Sequence, residues 1–120
     1  MHGLIIKQPW IELILCGQKT WEIRGSNTSR RGRIALIRGG SGLVVGSCDL
    51  ISVHGPLSIE EIAASIDKHC APLDQLDAIT ARYKKVFAWE LADVTRLDPP
   101  VPYQHPSGAV IWVRLPDELL

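Results

Sequence analysis

Apolar residues recur along this chain with two periods, and the changes of period mark its elements. Between Pro9 and Cys16 they fall at helical spacing, as Trp10, Ile11, Leu13 and Ile14, with proline at the first helical position and Gly17 as the stop. That pattern predicts a short helix. Lys19 to Arg24 and Arg33 to Arg38 read as strands, separated by the polar turn Gly25 to Ser29, and Leu43 to Val53 reads as a longer strand that Gly46 bends. Ser58-Ile59-Glu60-Glu61 is a capping box and predicts a helix to about His69; Pro72 and Asp74 start another to about Tyr83. Val86 to Leu91 predicts a buried strand. Ala109 to Leu115 predicts the last one, with Val110, Trp112 and Arg114 on one side and Ile111, Val113 and Leu115 on the other. Between them Pro99, Pro100, Pro102 and Pro106 spell a stiff, extended connection outside any sheet interior.

Five or six strands and two to three flanking helices, without strict alternation, point to the α+β class, with a mixed or antiparallel sheet that curls into a small barrel. The length of 120 residues suits one domain, and no repeat or linker announces a second, so residues 1–120 are expected to fold as a unit. A hydrophobic fraction of 46% and a charged fraction of 22% exclude a disordered or fibrous chain. No apolar run approaches the roughly 18 to 20 residues that span a membrane. Cys16, Cys48 and Cys70 form no CxxC pair, and the N-terminal residues lack a secretory pattern, so a cytoplasmic protein, monomeric in form, is the expectation.

The net charge of zero argues against a bulk electrostatic binder of DNA, but the charge is unevenly spread. Residues 1–38 hold Lys7, Lys19, Arg24, Arg30, Arg31, Arg33 and Arg38 against only Glu12 and Glu22, while the remainder is acidic. Such asymmetry suggests an anionic partner for the N-terminal third.

The densest chemistry lies in the same third. If Thr20 to Arg24 is a strand, Thr20, Glu22 and Arg24 share one face, and a turn at Gly17-Gln18 can bring Lys19 to it. Glu22 would then hold Lys19 or Arg24 in position, leaving ammonium and guanidinium donors for a phosphate or a base edge. Gln8 has the amide chemistry to read a base edge, and Trp10 or Trp21 either fills the core or stacks on a base. The turn His105-Pro106-Ser107-Gly108 places His105 or Tyr103 at a cleft mouth. His2, His54, His69 and His105 have no metal-ligand spacing with one another or with the cysteines, so neither a metal nor a cofactor is expected.

The string Gly17-Lys19-Glu22-Arg24, a GxKxxExR pattern preceded by Gln8-Pro9-Trp10 and followed by Arg31-Gly32-Arg33-Ile34, resembles the ASCH domain, named for homology to activating signal cointegrator. The similarity continues through Gly46-Ser47-Cys48-Asp49-Leu50 and Trp89-Glu90-Leu91, and so takes in most of the chain. It implies a PUA-like β-barrel whose motif lines a cleft beside the barrel, and a role in binding RNA or another nucleic acid. Some relatives are implied to be enzymes, either amidohydrolases of acetylated cytidine, in which a lysine activates a threonine on this strand, or nucleases. Lys19 matches that lysine. The nucleophile position holds Glu22 in this chain, with Thr20 as the nearby hydroxyl.

These readings converge on an RNA- or nucleotide-binding module that uses Gln8, Trp10, Lys19, Glu22, Arg24, Arg30, Arg31, Arg33 and His105. The alternatives are a hydrolase of a modified nucleoside or of RNA, with Lys19 and Glu22 as its acid and base, and a protein-interaction module.

Overall fold

The computed structural model describes all residues 1–120. Six strands, β1 (His2–Ile6), β2 (Trp21–Arg24), β3 (Gly32–Arg38), β4 (Leu43–His54), β5 (Phe87–Pro102) and β6 (Trp112–Arg114), form one sheet in the order β2-β5-β4-β3-β1-β6. Only β1 and β3 run parallel; every other pair is antiparallel. The sheet curls into a half-barrel accompanied by four short helices, α1 (Trp10–Leu15), α2 (Ile59–Ala64), α3 (Ile66–His69) and α4 (Leu76–Arg82), so the α+β class read from the sequence holds.

The curl comes from β4 and β5, whose ladder changes register at three places. Each shift is a bulge that sharpens the local twist. At the first of them a Cβ on Gly46 would lie 2.6 Å from the Thr95 carbonyl oxygen and 2.7 Å from a Leu15 methyl, so only glycine lets β5 and helix α1 close on this point. β3 is buried on both faces. Ile34 and Leu36 enter the main core with Leu4, Ile11, Ile14, Leu50 and Trp89, while Ala35 and Ile37 join Val44, Val113 and Leu115 on the reverse side.

Four expectations need correction. Strand β1 was not expected, because His-Gly-Leu-Ile-Ile is a short apolar run with no alternation to announce it. The helix expected from Ser58 to His69 breaks at Ser65, which leaves helical dihedrals while its hydroxyl donates to the Glu61 and Ile62 carbonyls. Four short helices therefore stand where two to three were expected. Pro99, Pro100 and Pro102 lie inside β5 rather than in a connection. Pro99 and Pro100 fall where the β4 register steps from Arg96 to Val101 and so have no β4 partner, and β2 pairs β5 only over Phe87 to Glu90, which leaves the other side of this stretch an edge. Finally, β6 covers only Trp112–Arg114, and Val110 and Ile111 leave the sheet, 75% and 40% exposed.

Candidate functional site

The half-barrel does not close through its backbone, because the edge strands β2 and β6 are not paired to each other. Side chains cross the seam instead. Arg24 on β2 donates through Nη2 to the Ile5 carbonyl of β1 at 2.8 Å, and Trp89 on β5 stacks on Trp112 of β6 with ring centroids 5.8 Å apart. A cleft of about 570 Å³ opens along this seam between β2, helix α4 and the Val110-Ile111 segment.

Lys19, Glu22 and Arg24 meet at its floor, as the strand geometry required. Lys19 reaches the group because Gly17 turns the chain at a φ of +86° just ahead of β2. Its ammonium donates to the carbonyls of Trp21 (2.7 Å) and His69 (2.8 Å), lies 3.4 Å from Glu22 Oε1, and faces the Trp10 ring at 5.2 Å. Three donors thus meet three acceptors, and Lys19, only 3% exposed, is spent on holding the start of β2 to the end of α3. Burial lowers its pKa against the raising influence of Glu22. Glu22 Oε2 accepts from both Nε (3.1 Å) and Nη2 (2.8 Å) of Arg24. Arg24 Nη1 has no partner in the chain, so a guanidinium fixed by Glu22, Ile5 and the face of Trp89 at 5.7 Å presents one free nitrogen to the cleft.

His69 holds the other side of the clamp. Its Nδ1 accepts from Ala71 N at 2.9 Å while Nε2 donates to the Ile62 carbonyl at 2.7 Å, which requires the neutral imidazole. Burial, ahead of the Lys19 charge, accordingly lowers its pKa below 6.5. The unfolded chain then binds the extra proton more readily, so stability is whole above pH 6.5 and falls as the pH drops from there through the folded-state pKa. Urea midpoints should decline with acidification over this window, and His69→Gln should blunt the decline; an equal decline in both proteins would remove His69 as its source.

The other expected residues divide. Trp10 lines the cleft. Trp21 does not, because His54 stacks on it at 4.6 Å and Lys68 faces it at 4.7 Å. Gln8 and Arg31 are exposed outside the cleft, and Arg31 Nη1 donates to the Thr28 and Arg30 carbonyls of its own loop. Arg33 is occupied elsewhere by Ser47 Oγ, Thr95 Oγ1, the Asp93 carbonyl and Asp49. Arg38 pairs with Glu12 at 3.2 Å. Part of the N-terminal charge excess is therefore neutralised internally. His105 sits in a separate depression, accepting from Tyr103 Oη at 2.8 Å and donating to the Ala109 carbonyl at 3.0 Å. Arg30 lies over Trp112, at the far end of the tryptophan stack.

Several cleft residues were not singled out by the sequence. Ser26, Arg82 and Tyr83 line it, as does Lys7, which counted only in the N-terminal charge excess, and Tyr83 packs so closely on Gly25 that a side chain there would strike its ring. Arg82-Tyr83 was legible only as the end of a helix. What brings it to the motif is the path of α4 across the seam.

The clamp, and every cleft-lining residue but Val110 and Ile111, lie within residues 4–101, the stretch that the family model of the ASCH domain matches. The chain belongs to the ASCH family. Its fold is similar to that of the crystal structure of ASCH from Zymomonas mobilis, with a TM-score of 0.73 at 17% identity over 98% of this chain and 88% of that one. Structures of two point mutants of the Zymomonas protein match equally, with TM-scores of 0.74 at 17% identity over 98% of this chain and 89% and 91% of theirs. At that identity the likeness concerns the fold. None of the curated proteins is a match for the sequence. In this ASCH domain the string Gly17-Lys19-Glu22-Arg24 thus divides its labour: glycine turns the chain, lysine and glutamate build the floor of the cleft, and arginine lines it.

Proposed function

We propose that this ASCH domain binds single-stranded RNA or a nucleotide in the seam cleft. The observation that carries the reading is the lining: Lys7, Lys19, Arg24 and Arg82 stand against the single carboxylate of Glu22, beside the rings of Trp10 and Tyr83 and the apolar Val110 and Ile111. A cationic floor with apolar and aromatic walls suits a ligand that joins a phosphate to a flat ring, and a volume of about 570 Å³ falls within the range of small-ligand sites. Free Arg24 Nη1 supplies a charge-assisted donor already fixed in place.

The hydrolase alternative draws less support from this geometry. Lys19 as acid or base needs a ligand proton within reach, but its nitrogen is ringed by two carbonyls and Glu22. Thr20 is exposed and outside the cleft lining.

Titration of a labelled single-stranded RNA at increasing sodium chloride tests the proposal. With Lys7, Arg24 and Arg82 on phosphates, the logarithm of affinity should fall against that of salt with a slope of about −2, at about −0.7 per contact. Binding independent of salt, or no binding to RNA or nucleotide, overturns it. Turnover of acetylated cytidine or of RNA that is lost in a Lys19→Ala variant shown by circular dichroism to be folded would favour the hydrolase.

A further inference from the structure

Arg30 stands at the opposite end of the tryptophan stack from the cleft. Its guanidinium lies over the Trp112 ring at 4.7 Å, as that of Arg24 lies over Trp89 at 5.7 Å, and the two rings stack on each other. The order is Arg24, Trp89, Trp112, Arg30. Unlike every other arginine of the N-terminal third, Arg30 makes no side-chain hydrogen bond: its bonds run through its backbone N–H to Thr28 Oγ1 and through its carbonyl, which accepts from Arg31. Its Nε is shielded from solvent and still has no partner. Buried polar groups normally find partners, and a guanidinium placed over an aromatic ring with no acceptor from the protein keeps its outward donors for an external one.

The surroundings define what that acceptor is. Arg114 on β6 is opposite His2 on β1, and His2 meets the edge of Trp112 with centroids 6.4 Å apart. Neither Arg30, Arg31 nor Arg114 is paired with a carboxylate. The loop that carries Arg30 begins in the cleft, where Gly25 and Ser26 line it, and is fastened to the stack by Trp89 Nε1, which donates to the Ser26 carbonyl at 2.9 Å. A continuous path therefore leads from Arg24 along the loop to a second, unpaired cationic surface.

We propose that Arg30 is a second phosphate-binding position, and that the ligand of this domain is a single-stranded oligonucleotide lying along the Gly25–Arg31 loop from the cleft to Arg30. The inference rests on the cleft reading above and deepens it from a nucleotide to a strand.

Affinities of the intact protein for the four nucleoside monophosphates and for a random-sequence single-stranded RNA hexamer decide it. The hexamer should bind at least about tenfold more tightly than the best monophosphate, the order of gain from one additional charge-assisted contact. Arg30→Ala should abolish most of that gain, flatten the hexamer's salt slope by about 0.7, and leave monophosphate binding unchanged. Arg30→Lys should keep the slope and restore only part of the affinity, because a point charge lacks the planar fork. Equal affinity of wild type for monophosphate and hexamer, or an equal loss for both in Arg30→Ala, overturns this inference while leaving the cleft reading intact. Absence of binding to either probe overturns both.

Discussion

Exchange of Lys19 for methionine is expected to destabilise the domain by about 3–5 kcal/mol. Methionine approximates the length of the stem, so the loss is chiefly that of the ammonium. Without it the Trp21 and His69 carbonyls, which accept at 2.7 and 2.8 Å, lose their charged donor where the side chain that supplied it is only 3% exposed. A buried acceptor left unsatisfied costs about 1–3 kcal/mol. Glu22, only 6% exposed, also loses one of its two cations, and removing one member of a buried ion cluster costs about 3–5 kcal/mol. The effects share atoms and do not add, so the larger figure bounds the total. Urea unfolding measures the change. A loss below about 1 kcal/mol would show that the ammonium does not hold β2 to α3 and is free to serve a ligand.

Arg24→Ala is expected to weaken RNA or nucleotide binding between about tenfold and a hundredfold, as befits one hydrogen-bonded contact to a charged group worth about 1.5–3 kcal/mol. The same change removes the link to the Ile5 carbonyl across the seam and one of the partners of Glu22, so affinity should be measured at a temperature where circular dichroism shows the variant folded. Arg24→Lys separates the two roles. It keeps a cation near Glu22 but cannot at once bridge to Ile5, chelate Oε2 and offer a free nitrogen, so affinity should stay well below wild type. Unchanged affinity in folded Arg24→Ala would remove the seam cleft as the binding site.

Much of the site was legible in the order of residues because its central chemistry is local. Lys19, Glu22 and Arg24 meet through one glycine turn and one stretch of strand, and those two geometries follow from residue type and a period of two. The fate of the other arginines was not local. Arg33 meets Ser47, Asp49, Asp93 and Thr95, which the β3-β4-β5 register delivers, and Arg38 meets Glu12 across the packing of α1 on the sheet. Charge counting sees the cations but not the partners that neutralise them.

The capping box at Ser58 and the helix stopped by Gly17 were decided by the sequence alone, since each depends on dihedral preferences and hydrogen bonds within a few residues, and the α+β class followed from the order of such elements; the glycine at Gly46 announced a bend, but the close approach of Thr95 and Leu15 that requires it is tertiary. Tertiary structure alone decided where the sheet stays open, which prolines fall on its edge, and that Trp89, Trp112, Arg82 and Tyr83 gather at the seam beside the motif. These depend on contacts between residues far apart in the chain, formed when the β4-β5 ladder bends and buries the core. No local pattern encodes the distance between one end of the chain and the other, so the cleft exists only once the half-barrel has curled.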